Sequence, residues 1–143
     1  MLEVKKINLS YGESHILFDM SVDVKIGKVT TILGRNGVGR TSLLKSIIGL
    51  EQIDSGRINL NKMDITKSSS PERANSGIAY VPQGREIFSL LTVEENLQTG
   101  FSVLKRNDRK ISKYIYDLFP VLSDMKSRRG GDLSGGQQQQ LAI

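Results

Sequence analysis

The sequence predicts an α/β fold that opens with an antiparallel β portion and continues into a glycine-rich loop and a helix. Apolar residues alternate strictly with polar ones from Met20 to Ile26, the pattern of a half-buried strand. The next run, Val29–Leu33, is rich in β-branched residues and predicts a central strand covered on both faces. It leads into a series of glycines that begins at Gly34, and apolar residues then recur at helical spacing over Leu43–Ile48, with Gly49 as the predicted helix stop. The order strand, glycine loop, helix sets the fold class.

Three shorter segments extend the α/β part. Arg57–Leu60 alternates weakly and predicts a further strand. Ser70 before Pro71 predicts a helix with Ser70 as its N-cap and proline at the first helical position. Gly77–Val81 is a second apolar run, which Pro82 closes because proline cannot donate to a sheet ladder. We therefore predict a second buried strand there.

The pattern becomes helical from Arg85 onward. Thr92 and Glu95 have the spacing of a capping box, which marks a helix start. A second amphipathic helix, interrupted at Pro120, is predicted from apolar residues at helical spacing: Ile111, Tyr114, Ile115, Leu118 and Leu122. These patterns divide the chain into an α/β core over residues 1–84, a helical subdomain over 85–130, and a loop with the start of a further helix over 131–143.

Composition excludes several classes of protein. The chain has 143 residues, which fits one domain, and no cysteine, which excludes disulfides and thiolate metal sites. The one histidine, His15, cannot form a cluster of imidazole ligands, and we expect it on the surface without a function. No apolar run approaches the ~20 residues of a membrane-spanning helix. The N-terminus also lacks a secretory apolar core, so we expect the protein to stay in the cytoplasm.

A positive net charge, here +5, is typical of proteins that bind nucleic acids. Basic and acidic residues are, however, mixed in both halves of the chain. One local basic cluster has no interleaved aromatics to stack on bases, which favours a solvated helix face; it comprises Lys105, Arg106, Arg109, Lys110 and Lys113. Arg128 and Arg129 could clamp a phosphate, but a solvated pair is the simpler interpretation. No nucleic-acid partner is expected.

The glycine-rich loop has the spacing of the phosphate-binding motif G-x-x-x-x-G-K-[ST], except at the lysine. The candidate phosphate-binding residues are Gly34, Arg35, Asn36, Gly37, Val38, Gly39, Arg40, Thr41 and Ser42. The glycines let successive backbone N–H groups point inward, and the following helix adds its positive N-terminal end. Thr41 would supply a hydroxyl that binds Mg²⁺. The alternative is a glycine-rich turn without a ligand, which the position between a strand and a helix disfavours.

Arg40 stands where the motif has a lysine that reaches the β- and γ-phosphates. The charge is kept, but a planar guanidinium is bulkier than an ammonium group and prefers bidentate contacts. We therefore expect weaker nucleotide binding and slower turnover than in an Arg40→Lys variant.

A second motif, near the C-terminus, supplies five further candidate cofactor-binding residues: Leu133, Ser134, Gly135, Gly136 and Gln137. Ser134 and the glycine N–H groups would form another anion-binding helix N-terminus. Together with the loop at Gly34, this pentapeptide resembles the signature motif of the ATP-binding-cassette ATPases, and it separates the chain from kinases and small GTPases. In that family the signature faces the γ-phosphate held by the other protomer. The resemblance implies a P-loop NTPase-type core with a helical subdomain.

Two further positions acquire a role from this resemblance. Tyr11 matches the aromatic residue that stacks on adenine, and Gln83 matches the glutamine that touches Mg²⁺ and the attacking water. Without the two motifs, Tyr11 would be read as a packing or turn residue and Gln83 as a loop residue. With them, Gln83 and Arg40 are the candidate catalytic residues, and Thr41 and Gln83 are the candidate Mg²⁺ ligands.

Three short sequence segments resemble one branch of the family in particular, the branch that takes up branched-chain amino acids and urea. The segments that carry it are Gly84–Phe88, Leu91–Leu97 and Arg128–Asp132. Gln83 before Gly84–Phe88, together with the run Gln137–Gln140, most resembles the ATP-binding subunit of urea transporters. We expect that run to lie on a helix surface.

The resemblance implies ATP and Mg²⁺ as cofactors and a second ATP-binding subunit, identical or different, as the partner. It further implies membrane permease subunits, a solute-binding protein that acts indirectly, and a peripheral position on the cytoplasmic face of the membrane.

In the family, the helix begun at Gln138 leads to a strand ending in Asp-Glu and to a loop with a histidine. This sequence contains neither, so we expect it to be the N-terminal part of a larger domain with an incomplete sheet. The alternatives are a truncated chain that does not hydrolyse nucleotide and a cassette that acts on nucleic acid or ribosomes.

Overall fold

The computed structural model describes all 143 residues, which divide into two compact units. An antiparallel sheet of four strands forms most of the first unit, residues 1–79. The strand order is β2-β1-β3-β4. The strands are β1 (Leu2–Tyr11), β2 (Ser14–Val24), β3 (Ser55–Leu60) and β4 (Met63–Asp64). The N-terminal antiparallel portion and the predicted strand at Arg57–Leu60 are thus confirmed. The strand predicted over Met20–Ile26 ends at Val24, and Ile26 is exposed.

Two helices complete this unit, α1 (Arg40–Ile48) and α2 (Ser70–Asn75). Leu43 and Ile47 of α1 join the core formed by the inward-facing residues of the sheet. The buried core residues are Val4, Ile7, Leu9, Leu17, Leu43, Ile47, Ile58 and Ile65. Helix α1 ends at Gly49, as predicted, because Gly49 takes a left-handed conformation with φ 78° that suits glycine.

Two predicted buried strands are wrong. Neither Val29–Leu33 nor Gly77–Val81 forms a strand, and the side chains of Val29 and Leu33 are 95% and 85% exposed. A strand exists only when a neighbouring strand takes up its backbone hydrogen bonds, and no strand of this chain pairs with either segment. Ile32 and Ile78 still pack against the core of the first unit. The apolar pattern therefore identifies residues that contact the core, but it does not identify a strand.

The start of α2 differs by one residue from the prediction. The N-cap is Ser69, whose backbone N–H donates to Glu72 Oε2 at 2.7 Å, so Ser70 is already helical. Pro71 lies within the first turn, where its missing N–H has no intrahelical partner to lose.

The second unit, residues 80–143, is helical. It contains α3 (Val93–Thr99), α4 (Lys113–Leu118), α5 (Pro120–Asp124) and α6 (Gly135–Ala142). Val93, Leu122, Leu133 and Leu141 form its buried core. The interruption predicted at Pro120 is confirmed, since α4 and α5 meet there. Most of the basic cluster lies in exposed turns before α4 rather than on a helix face, and Arg128 and Arg129 are exposed as predicted.

The prediction that the run Gln137–Gln140 lies on a helix surface is only partly right. Gln138 and Gln140 are half-buried, and in the side-chain amide of Gln138 the oxygen accepts a hydrogen bond and the nitrogen donates one. Helical periodicity explains the difference, because residues on adjacent positions of a helix face different directions and cannot all face solvent.

The capping box predicted for α3 is confirmed and makes stability depend on pH. Both the backbone N–H and the hydroxyl of Thr92 donate to Glu95 Oε2, each at 2.8 Å. These hydrogen bonds lower the pKa of Glu95 from its ordinary value of 4.5. Because the folded state prefers the charged carboxylate, this stabilisation is present above that ordinary value and is lost as the pH falls through the lowered pKa.

We expect Glu95→Gln to reduce the free energy of unfolding at neutral pH, with the difference from wild type shrinking as the solution is acidified. Glu94→Gln is the matched control, since Glu94 lies in the same turn but makes no capping hydrogen bond. Urea unfolding at a series of pH values measures both variants. A Glu95→Gln effect that grows on acidification would contradict this account.

None of the helices is both long enough and apolar enough to cross a membrane. His15 is exposed, as predicted, and its ring lies 3.8 Å from that of Phe18.

Candidate functional site

The glycine loop leads directly into α1, and two of its glycines have conformations that other residues avoid. Gly37 and Gly39 have φ values of 85° and 86°. Gly39 is also the N-cap of α1, and a Cβ placed there would lie 2.7 Å from Leu17 Cδ2. Close approach to the sheet therefore adds a steric requirement for glycine at Gly39.

The N-terminus of α1 is free to bind an anion. No side chain caps it, and its first turn contains no acidic residue. The first N–H groups of a helix have no partner within the helix, and the helix dipole places a partial positive charge beside them. Thr41, in the same turn, is exposed. A phosphate group fits such a position electrostatically.

The side chain of Arg40 is hydrogen bonded to another residue of the glycine loop. Arg40 Nη2 donates to Asn36 Oδ1 at 3.0 Å. A Cβ on Gly34 would lie 2.7 Å from Val38 Cγ2 and 3.8 Å from Arg40 Cδ, so both side chains fold back toward the start of the loop. The guanidinium group is thus engaged by the loop itself, a contact that the motif alone did not predict.

Tyr11 lies beside this loop, at the end of β1. Its hydroxyl is within 3.4 Å of Ser42 Oγ in α1, and its side chain is 44% exposed. The structure therefore brings the aromatic residue and the loop together within the first unit, with part of the ring open to solvent.

The pentapeptide forms the start of α6 in the second unit. Ser134 is the N-cap, its backbone N–H donates to Gln137 Oε1 at 2.8 Å, and its hydroxyl accepts from the Gln137 N–H at 3.4 Å. Leu133 is buried in the helical core, whereas Gly135 and Gly136 are exposed. The exposed helix N-terminus at Ser134 is the one that the motif predicts. The predicted binding role of the Leu133 side chain is wrong, because that side chain is buried in the core and anchors the pentapeptide.

Gln83 lies in the second unit, in an exposed turn with Gly84. Two neighbouring contacts were missed by sequence reasoning. Arg85 Nη1 donates to Gln138 Oε1 at 2.8 Å. Asn96, which is only 8% exposed, accepts from the Phe88 N–H at 2.8 Å and donates to the Phe88 carbonyl at 2.9 Å. A polar residue at a helix position that faces the core was the available indication for Asn96.

Comparison with known proteins identifies the family. A model of the family described as "ABC transporter" matches residues 17–143, which includes the glycine loop and the pentapeptide. The chain belongs to the ABC transporter family. The fold resemblance and the family inferred from the two motifs are thereby confirmed.

Relatives within the ABC transporter family align with this chain over its full length. A probable branched-chain amino acid transport ATP-binding protein, LivF, of Archaeoglobus fulgidus is 42% identical over 100% of this chain and 61% of its own length. A high-affinity branched-chain amino acid transport ATP-binding protein, BraG, of Pseudomonas aeruginosa is 39% identical over 100% of this chain and 62% of its own length. The chain thus spans about three fifths of the length of these relatives.

Solved cassettes of the ABC transporter family have the same fold. The ATP-binding cassette MJ1267 in its ADP conformation aligns with a TM-score of 0.80 at 30% identity, covering 100% of this chain and 62% of that cassette. The dimeric cassette MJ0796 aligns with a TM-score of 0.80 at 23% identity, covering 100% of this chain and 67% of that cassette. The latter likeness is one of fold alone.

Proposed function

We propose that the protein is the ATP-binding subunit of an importer, in which ATP binding and hydrolysis drive uptake through separate membrane subunits. The observation that carries this proposal is the glycine loop at the uncapped N-terminus of α1 in a member of the ABC transporter family. Phosphate groups are the ligands for which such a loop is built.

The residues of the first unit fit ATP and Mg²⁺. The N–H groups at Gly37–Thr41 face no capping side chain and can donate to phosphate oxygens. The exposed hydroxyl of Thr41 can bind Mg²⁺, and the part of the Tyr11 ring that is open to solvent can stack on a base. When bound, Mg²⁺ neutralises charge on the phosphates. Gln83 orients water and Ser134 donates to a phosphate held by the other protomer.

The assembly we propose contains two ATP-binding subunits, membrane permease subunits and, indirectly, a solute-binding protein. The exposed N-terminus of α6 supports the dimer, because the unit that contains this helix has no phosphate-binding glycine loop of its own. The protein lies on the cytoplasmic face of the membrane and reaches it through the permease subunits.

Branched-chain amino acids are the substrate class that the similarity to LivF and BraG favours. Urea is the second candidate, favoured by the residues Gln83–Phe88. Uptake of labelled leucine and labelled urea, measured in a strain that lacks the gene and in one that regains it, tests both. We expect leucine uptake to disappear and return with the gene. Loss of urea uptake with normal leucine uptake would select the second candidate, and loss of neither would overturn the importer.

The same strain can test the role of the glycine loop. Thr41→Ala, which removes the proposed Mg²⁺ ligand, is expected to leave uptake near the level of the strain without the gene. Ser127→Ala is the matched control, because it removes an exposed hydroxyl that makes no hydrogen bond in the structure. Full uptake with Thr41→Ala would contradict the proposal.

A protein that binds nucleotide without hydrolysing it is the second candidate activity. The hydrogen bond from Arg40 to Asn36 favours it, because a guanidinium group engaged by the loop is not free to stabilise the γ-phosphate. Measuring ADP binding and phosphate release on the same preparation separates the two candidates. Binding without phosphate release would select this one.

A further inference from the structure

The segment that follows Gln83 has an unusual backbone. Gly84, Arg85 and Glu86 have φ values of 93°, 74° and 50°, so that consecutive residues are left-handed. This conformation is disfavoured for residues with a Cβ, and it persists only where surrounding contacts hold it. The contacts made by Arg85, which is half-buried, therefore help to hold the segment in this shape.

Arg85 is held against the first turn of α6. Its Nη1 donates to Gln138 Oε1 at 2.8 Å, and Gln138 Nε2 in turn donates to the Gly130 carbonyl at 3.3 Å. A Cβ on Gly135 would lie 3.2 Å from Arg85 Nη1, so the guanidinium group packs closely over a glycine of the pentapeptide. The side chain is half-buried, and hydrogen bonds to charged groups are the stronger kind.

Backbone hydrogen bonds join the same two segments. The Gly130 N–H donates to the Leu91 carbonyl at 2.8 Å, and the Gly131 N–H donates to the Ser89 carbonyl at 2.9 Å. The chain after Gln83 is thus paired with the chain that leads into Ser134. Arg85 extends this pairing to α6 itself.

We propose that Arg85 is a positioning residue that couples the loop carrying Gln83 to the N-terminus of α6. Arg85 is two residues from Gln83 along a strained backbone, so a displacement of that loop moves the guanidinium group and the helix turn bonded to it. Ser134 begins that turn. The state of the Gln83 loop thereby sets the position of the residue proposed to contact the partner's nucleotide, and in this respect the inference rests on the proposed function.

Two readouts test this role in the protein as the cell produces it. Without nucleotide, Arg85→Ala is expected to make the amides of Gln138 and Gln139 exchange with solvent about tenfold faster, because the first turn of α6 loses a charge-assisted hydrogen bond. With Mg²⁺ and a non-hydrolysable ATP analogue, the same variant is expected to dimerise about tenfold more weakly. Its affinity for the analogue as a monomer is expected to stay unchanged, because Arg85 is not one of the glycine-loop residues proposed to hold the phosphates. Arg85→Lys, which keeps one donor, is expected to be intermediate in both readouts.

Arg106→Ala is the matched control, because Arg106 is an exposed arginine of the same unit without a side-chain hydrogen bond. If Arg85→Ala does not fold, Gln138→Ala removes the acceptor of Arg85, together with the longer hydrogen bond from Gln138 to the Gly130 carbonyl, and is measured in the same two readouts. A wild-type protein that fails to dimerise with the analogue would overturn the proposed function. A wild-type protein that dimerises no better than Arg85→Ala, or amides that exchange equally fast in both, would overturn the role of Arg85 alone.

Discussion

Replacing Arg40 with lysine is expected to tighten the binding of ADP by about tenfold, the gain from a freed point charge at the phosphates. In the wild-type protein the guanidinium group donates to Asn36 Oδ1 at 3.0 Å and lies over the start of the loop near Gly34. Ligand binding has to break that contact or leave the charge facing away. A lysine is more compact and can turn toward the phosphates. Calorimetric titration with ADP and Mg²⁺ measures the change without hydrolysis.

Two further variants make this prediction specific. Asn36→Ala, with Arg40 retained, removes the acceptor and is expected to recover part of the gain. Arg106→Lys is the matched control, because it makes the same substitution at an exposed position in the other unit. Equal affinity of the wild-type and Arg40→Lys proteins would show that the hydrogen bond to Asn36 does not limit binding.

Arg73→Met is expected to destabilise the first unit by about 3 kcal/mol, since it leaves buried and half-buried carbonyl groups without their donor. Arg73 is only 4% exposed, and burial lowers its pKa. It donates four hydrogen bonds, all to backbone carbonyls: those of Ser46, Ile47, Thr66 and Ser68. Two of these carbonyls belong to the last turn of α1, where a cation also opposes the negative end of the helix dipole. Methionine fills the space but supplies neither hydrogen bonds nor charge.

The effect of Arg73→Met can be separated from the general cost of removing an arginine. Arg57→Met is the control, since Arg57 is exposed and forms an ion pair with Asp64 at 3.3 Å. Such a surface pair is expected to contribute less than about 1 kcal/mol. Urea unfolding followed by circular dichroism gives both free energies. Similar losses in the two variants would mean that the carbonyl groups find other donors or water.

Features that depend on neighbouring residues in the sequence were predicted well. The capping box at Thr92 and Glu95, the helix end at Gly49 and the break at Pro120 each follow from one or two residues whose backbone preferences act locally. The strands at Val29–Leu33 and Gly77–Val81 were not formed, because an apolar run fixes where a segment would be buried and does not supply its hydrogen-bonding partner.

In the candidate site, too, some features could be predicted from the sequence and others could not. The glycine loop, Thr41 and the pentapeptide were found from spacing, since their chemistry requires fixed residue types at fixed intervals. The hydrogen bonds of Arg40 with Asn36 and of Arg85 with Gln138 were not found. The first depends on the rotamer of a long side chain, and the second joins residues far apart in the sequence. Neither leaves a periodic pattern.

The central claim is that the loop from Gly34 to Ser42 binds the phosphates of a nucleotide. Backbone amide chemical shifts, followed while the protein is titrated with ADP and Mg²⁺, test it most directly. We expect the largest saturable shifts at the amides of Gly37 to Ser42, with a smaller shift at Tyr11. Titration without saturable shifts in this loop, or with the largest shifts elsewhere in the chain, would contradict the claim.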